Sequence, residues 1–257
     1  MKKSYHTIYL SPHLDDAALS CGGQIFGLTS AGEDVLILTI MAGQPGDEAL
    51  SPFAAMLHQR WQLGVDAVAL RRQEDVTACH ILGADYLHWD VPDCIYRQSE
   101  DGQWLYPEWT AVITTLHPAD EHLITQLASL LQTLPPAQRI VAPLGVGSHV
   151  DHRIVRAAAE KAFSGNLWYY EDYPYVREQN ALTKVIPTEE KNAWQVEIIP
   201  LTPTQISRRT DAIAAYKSQV DTFFNGRIDL NNQITAYTQK VGGERLWQPQ
   251  PPNRHAA

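Results

Sequence analysis

The chain is poor in cysteine, short of positive charge and without a long apolar run. Cys21, Cys79 and Cys94 are its thiols, widely spaced and with no CxxC pair. That pattern excludes a thiolate metal knuckle and a disulfide framework. It suits a reducing compartment, so the expected location is cytoplasmic. Lys and Arg number 20 against 29 Asp and Glu, a net charge of -9. So acidic a chain lacks the footprint of a nucleic-acid binder, and it carries no polybasic membrane patch. No stretch of eighteen apolar residues occurs, so stable membrane insertion is not expected. Met1-Lys2-Lys3-Ser4 is weakly basic, but only a strand-length apolar run follows it, and no signal peptide is read there. A glycine-bearing loop, Gly145-Val146-Gly147-Ser148, lacks the third glycine of a dinucleotide fingerprint and the lysine of a P-loop. No internal repeat is found.

What is present is a succession of short apolar runs separated by helical patterns. His6 to Leu10, Val35 to Met41, Tyr86 to Trp89, Arg139 to Leu144 and Leu167 to Tyr170 read as strands. Val35-Leu-Ile-Leu-Thr-Ile-Met41 is apolar throughout, as expected of a parallel strand covered on both faces. Helices are expected from about residue 15 to Ser30, over Phe53 to Leu63, Arg71 to Gly83, Pro118 to Leu134 and Val150 to Ala162. Thr202 to Phe224 reads as one long helix closed by Asn225-Gly226, and Leu230 to Val241 as a short one. Ala193 to Ile199 reads as a late strand at a sheet edge. The order of elements predicts an α/β fold, Rossmann-like, with a mostly parallel sheet and helices on both faces. One domain is expected over residues 1–247, with a flexible tail over 248–257. Asp90 to Trp109 is irregular and is a candidate rim for a site, or a crossing loop whose Trp side chains pack on the core.

Chemistry gathers where strands end. The first run leads into Ser11-Pro12-His13-Leu14-Asp15-Asp16. His13 and Asp16, three residues apart across a turn, can reach one point. Asp15 need not aim there, which leaves a carboxylate free for proton transfer. The competing reading is an Asp pair capping the helix that follows. A second cluster, His149, Asp151 and His152, follows the strand that ends at Leu144. In an open α/β sheet the carboxyl ends of strands are where ligands bind. Two such clusters on one sheet edge converge if their strands are near neighbours.

Two His and one Asp with an open position are the general form of a catalytic zinc site. His13, Asp16 and His152 can supply it, with Asp15 placed to take a proton. His149 can face the substrate and, as imidazolium, donate to a developing oxyanion. Asp151 can orient a His from behind. The implied chemistry is metal-assisted hydrolysis of an amide or ester. The same ligands could hold Fe2+ as a facial triad, but an oxygenase would leave Asp15 without a duty. Arg71 and Glu74 are three apart, either a surface ion pair or an Arg steered by Glu toward an acceptor.

Pro12-His13-Leu14-Asp15-Asp16-Ala17 and His149-Val150-Asp151-His152 resemble the paired motifs of the PIG-L/LmbE-like deacetylases, Ala-His-Pro-Asp-Asp-Glu and His-Pro-Asp-His. The resemblance covers residues 5 to 175. It implies Zn2+ held by His13, Asp16 and His152, with Asp15 as general base. It implies His149 as the oxyanion-stabilising His and Asp151 as its supporting partner. Arg71 matches the segment whose Arg contacts substrate, and Tyr170 falls in the aromatic region beside the site. Leu14 and Val150 replace the family prolines, and Ala17 replaces the glutamate. The function implied is removal of an N-acetyl group from an amino sugar or its conjugate, a small-molecule substrate. The alternative is an inactive carbohydrate-binding or scaffold protein that keeps the fold. Assembly as a homo-oligomer is left open by the sequence.

Overall fold

A computed structural model describes residues 3–46 and 49–250. In chain order the strands are β1 (Tyr5–Ser11), β2 (Val35–Thr39), β3 (Asp85–His88), β4 (Ala137–Pro143), β5 (Leu167–Tyr170), β6 (Trp194–Ile199) and β7 (Glu244–Pro249). The longer helices are α1 (Asp16–Ser30), α2 (Pro52–Arg60), α3 (Ala67–Leu82), α5 (Glu121–Leu131), α6 (Val150–Ala162), α8 (Pro203–Ala215) and α10 (Gly226–Val241). Short helices α4 (Trp109–Val112), α7 (Ala181–Val185) and α9 (Lys217–Phe223) complete the set.

The seven strands form one sheet in the order β3-β2-β1-β4-β5-β7-β6. β1 to β5 pair in parallel, while β7 runs antiparallel to both its neighbours. Side chains alternate across the sheet. Ile8 and Leu10 of β1 face a core built with α5 and α6. Tyr9 faces the other way, into a core built with α1 and α3. β1 lies between β2 and β4, so the connections leave it in opposite directions. The crevice at such a reversal, at the carboxyl ends of the strands, is where open α/β sheets bind ligands.

Three elements differ from the sequence reading. The long helix over 202–224 is broken at Tyr216 into α8 and α9. No Gly or Pro marks the break; the Tyr216 hydroxyl instead donates to buried Asp75 at 2.7 Å. Asn225-Gly226 opens α10 rather than closing the helix before it, and α10 is 16 residues long. β7 was not foreseen: Gln248 and Pro249 belong to it, while residues 251–257 of the expected tail lie outside the described residues.

α1 has an unusual partner. Glu244, from β7, accepts from the N–H groups of Gly23 at 2.9 Å and Gln24 at 2.8 Å. Buried Arg209, from α8, donates to the Leu19 carbonyl and lies 3.3 Å from the Glu244 carboxylate. An ion pair thus reaches the backbone of a helix at its middle. Glycine makes the approach possible: a Cβ on Gly22 would sit 2.9 Å from Arg209 Cγ, and one on Gly23 would sit 2.4 Å from Leu201 Cδ1.

Candidate metal centre and active site

The first motif folds into a tight turn between β1 and α1. Ser11 Oγ donates to the His13 carbonyl at 2.7 Å and accepts from the Ala17 N–H at 3.1 Å. Asp16 turns back to accept from the His13 N–H at 2.8 Å. Asp15 takes φ 147°, a conformation a side-chain-bearing residue rarely adopts. Such strain costs about 1–3 kcal/mol and gathers at functional sites. The Asp15 side chain makes no capping hydrogen bond to α1, so helix capping does not account for it.

β1 and β4 are hydrogen-bonded neighbours, and their loops bring the two motifs together. Asp16 Oδ2 lies 3.2 Å from His13 Nδ1 and 3.3 Å from His152 Nε2. The far nitrogen of each ring is held by another carboxylate. His13 Nε2 lies 3.0 Å from Asp151 Oδ2, and His152 Nδ1 lies 2.6 Å from Asp172 Oδ1. A carboxylate can only accept, so each far nitrogen donates to its outer carboxylate, and each near nitrogen, which faces Asp16, would present a lone pair once a metal displaced its proton. Histidine ligands of metals are oriented by outer carboxylates in this way.

The electrostatics call for positive charge at that point. Burial opposes protonation of His13, but Asp93, Asp151 and Asp16 raise its pKa well above the usual value. Burial likewise opposes the charge on His152, and Asp16 and Asp172 push its pKa up to about 10. Burial would raise the pKa of Asp16, yet His152 and His13 hold it well below the carboxylate range. Protons taken up by buried imidazoles among carboxylates are what a bound dication displaces. Two imidazoles and one carboxylate are also a fitting donor set for zinc. Three other close trios occur among the described residues: His13, His149 and His152; His13, Asp93 and Asp151; and Cys94, His149 and Asp151. The two that include Asp151 fit less well. Asp151 there already accepts from the Cys94 N–H, from His13 and from the Arg97 guanidinium.

Beside the donors is a cavity of about 290 Å³, lined among others by Asp15, Trp61, Arg71, His149 and Tyr175. Asp15 faces it. Burial, then the neighbouring Asp16, pushes its pKa up to about 8, against the pull of Arg71 and His13. Arg71 is buried, donates to the Leu14 carbonyl at 3.3 Å and lies 4.0 Å from Asp15 Oδ2. Its guanidinium stacks 4.7 Å from the Trp61 ring, and its Nε has no hydrogen-bond partner among the described residues. That Nε is buried, while the Arg71 side chain as a whole lines the cavity.

Four expectations change. Glu74 does not steer Arg71; it accepts from the Ser218 N–H and hydroxyl instead. Asp151 supports His13, not His149. Tyr170 does not line the cavity: it is fully buried and donates to the Leu10 carbonyl at 3.2 Å. As a β5 residue it points into the core, and Tyr173 and Tyr175 beyond the strand reach the cavity in its place. His149 is not an imidazolium: burial and the positive charge on His13 and His152 hold its pKa well below the usual value. Its Nδ1 accepts from the Asp151 N–H at 3.2 Å. The neutral ring then carries its proton on Nε2, which remains a donor.

Other residues escaped the sequence reading. Asp172 follows a third strand end, and its position after β5 was the available signal. Arg97 could not be found by pattern: it lies in an irregular segment and meets Asp120 at 2.9 Å and Asp151 across the fold. Trp109, from the same region, is 49% exposed and lines the cavity, in keeping with the rim reading of Asp90 to Trp109.

The sequence model of the PIG-L family, described as GlcNAc-PI de-N-acetylase, matches residues 8–163. The chain belongs to that family. A 2'-N-acetylparomamine deacetylase of Niallia circulans is 27% identical, over 83% of this chain and 80% of its own length. One of Streptomyces fradiae is 26% identical, over 95% of this chain and 90% of its own. Among solved structures, the zinc-inhibited form of a teicoplanin deacetylase superposes with a TM-score of 0.79 at 26% identity, covering 95% of this chain and 97% of the other.

Proposed function

We propose that this chain is a zinc-dependent N-deacetylase that hydrolyses the N-acetyl group of an amino sugar or its conjugate. The observation that carries the reading is a division of labour among acids. Asp16 converges with His13 Nδ1 and His152 Nε2 within 3.3 Å, while adjacent Asp15 turns to the cavity. A binding or scaffold protein has no use for that second carboxylate. His13, Asp16 and His152 would hold the metal. Bound there, zinc would acidify a water and polarise the substrate carbonyl.

The rest is the work of side chains. Asp15, whose ionised form a cation held by the neighbouring donors would favour, takes a proton from the attacking water and returns it to the departing amine. His149 donates from Nε2 to the oxyanion as the carbonyl carbon becomes tetrahedral. A neutral imidazole suffices for this, because a preorganised N–H dipole needs no net charge. Arg71 binds a polar group of the sugar through its guanidinium. Trp109 offers a ring face to the apolar side of a sugar, whereas the Trp61 ring is already stacked by Arg71 and His58. The products are acetate and the free amine. The relatives named as deacetylases of N-acetylparomamine and teicoplanin support an amino-sugar substrate. Three free, buried thiols suit a cytoplasmic enzyme, and we read the chain through the end of β7 at Pro249 as one domain, two residues beyond the expected boundary at 247.

The test is metal content and kcat on two variants. Asp15→Asn should keep zinc and lose roughly 10²–10⁴ in kcat. Asp16→Asn should lose zinc as well. Retention of full activity by Asp15→Asn sinks the mechanism, and loss of zinc from it alone exchanges the two roles.

A further inference from the structure

Gln219 is a buried polar side chain outside the zinc donors and the carboxylates that support them. It is 7% exposed and stands in the wall of the metal cavity with Asp15 and Phe223. The same residues, with Leu19, enclose a small apolar recess beside Asp15. Gln219 belongs to α9, which is tied to α3 by side chains. The Tyr216 hydroxyl, at the start of α9, donates to Asp75 at 2.7 Å. Glu74 accepts from the Ser218 N–H at 2.9 Å and from the Ser218 hydroxyl at 2.6 Å. Gln219 Nε2 in turn donates to Ser218 Oγ at 3.1 Å.

These bonds fix which end of the amide faces the cavity. A carboxylate only accepts, so the Ser218 hydroxyl gives its one hydrogen to Glu74. The Ser218 oxygen can then only accept, and the part of Gln219 that meets it must be the NH2 end. The carbonyl end, Oε1, has no partner among the described residues and is left to the cavity. A ligand that displaces water from such an acceptor without replacing its bond loses affinity. The donor that a bound N-acetyl group brings is its own amide N–H. The layout of the fold agrees. His149 heads α6, on the Ile8 and Leu10 side of the sheet, whereas α9 is tied to α3 on the Tyr9 side. A trans amide points its C=O and its N–H in opposite directions. With the carbonyl turned toward His149, the N–H turns toward Gln219.

We propose that Gln219 accepts a hydrogen bond from the N–H of the scissile amide and thereby selects amides over esters. This inference rests on the deacetylase reading and adds to it how the bond that is cut is recognised. Holding the N–H fixes how the nitrogen faces Asp15. As the tetrahedral carbon forms, the nitrogen lone pair is no longer shared with the carbonyl. The C–N bond breaks as that lone pair takes the proton that Asp15 removed from water. The amine leaves with its original hydrogen and the one from Asp15. An ester has an oxygen where the amide has N–H, so its lone pairs would meet the Gln219 oxygen. A site built to pair with a donor rejects an analogue that lacks it.

The experiment measures, on the zinc-loaded enzyme, kcat/KM for the best of a panel of N-acetylated amino sugars and for 4-nitrophenyl acetate, and follows their ratio. Gln219→Leu keeps much of the volume and deletes the acceptor, and should lower the amide-to-ester ratio about tenfold or more. Glu74→Gln touches no substrate. Its amide oxygen serves the Ser218 N–H and its NH2 donates to Ser218 Oγ, so the Ser218 hydrogen turns to Gln219 and reverses that amide. The ratio should fall several-fold there as well. Product inhibition gives a second reading: the glucosamine ammonium donates to Oε1 and glucose does not. Gln219→Leu should therefore raise the inhibition constant of glucosamine about tenfold relative to that of glucose. Zinc content and the far-ultraviolet dichroism spectrum confirm that each variant is folded. An equal fall on amide and ester in Gln219→Leu, or an unchanged ratio, overturns the proposal. Where the parent turns the ester over too slowly to measure, the inhibition constants decide, and an unchanged pair overturns it equally. Absence of acetate from every N-acetyl sugar, with zinc bound, overturns the deacetylase reading itself.

Discussion

Arg97 should be one of the most sensitive positions in this protein, although it touches neither metal donors nor substrate directly. Its guanidinium pairs with Asp151 and, at 2.9 Å, with Asp120. Both carboxylates are almost wholly buried. Asp151 in turn orients His13. Arg97→Met keeps the aliphatic stem and deletes the charge. Two buried carboxylates then face each other's field with no cation between them. Breaking a buried pair from one side costs about 3–5 kcal/mol. In a domain of this size that is a fall in Tm of roughly 6–20 °C. Freed from Arg97, Asp151 also ceases to hold His13 firmly, and zinc affinity should drop about 10–100-fold. Thermal unfolding by circular dichroism and zinc titration with a chelator buffer measure the two effects. Arg97→Met combined with Asp120→Asn should recover part of the lost stability, because one unpaired charge is gone, but not the zinc affinity. A single variant that melts within about 2 °C of the parent and binds zinc equally well would show that Arg97 does not hold Asp151.

The remaining expectations concern the two histidines of the second motif. The His149 pKa is lowered, so the ring does not change charge between pH 7 and 9, and the basic limb of the rate profile should not belong to it. His149→Gln, which keeps an N–H donor, should therefore retain the parent's basic limb, whereas His149→Ala should lose about 10²–10³ in kcat. Disappearance of the basic limb in His149→Gln would restore the charged form. Asp172→Asn weakens the charged acceptor behind His152 and should cost about 10–100-fold in zinc affinity. At saturating zinc its kcat should stay within a few-fold of the parent, and a larger loss would mean that Asp172 acts on the reaction as well.

Local patterns carried the fold as far as β5, because β2 is a buried apolar run, β1, β4 and β5 carry shorter apolar stretches, and α6 begins and ends at the expected residues, Val150 and Ala162. The second half was harder to read. The bend at Tyr216 depends on a hydrogen bond to Asp75, 141 residues away in sequence. β7 is short and amphipathic, and its Glu244 reads as a surface residue until Arg209 and α1 are placed around it. At the site, motif spacing was enough to gather His13, Asp16 and His152. It could not say which carboxylate stands behind which ring. Asp151 is two residues from His149 and 138 from His13, yet geometry joins it to His13. Nor could it give the charge of His149, which is set by burial and by neighbours from another loop. Tyr170 and Tyr175 are both tyrosines beside a strand end. One lies inside β5 with its ring in the core, and the other lies past it at the cavity.

The contact between Glu244, Arg209 and α1 bears on how far this molecule is divisible. Both motifs lie within residues 8–163, the stretch shared most plainly across the family. That stretch looks like a cassette that could be cut out and grafted. It is not, because the helix that begins at Asp16 depends at its middle on side chains from residues 209 and 244. Cut away the later part of the chain, and Gly22 and Gly23 become a flexible, hydrated weak point just after the first metal-binding motif. The catalytic half and the closing half are therefore inherited as a unit. An engineer who transplants the chemistry must take the last strand with it, or rebuild α1 with residues that can stand alone.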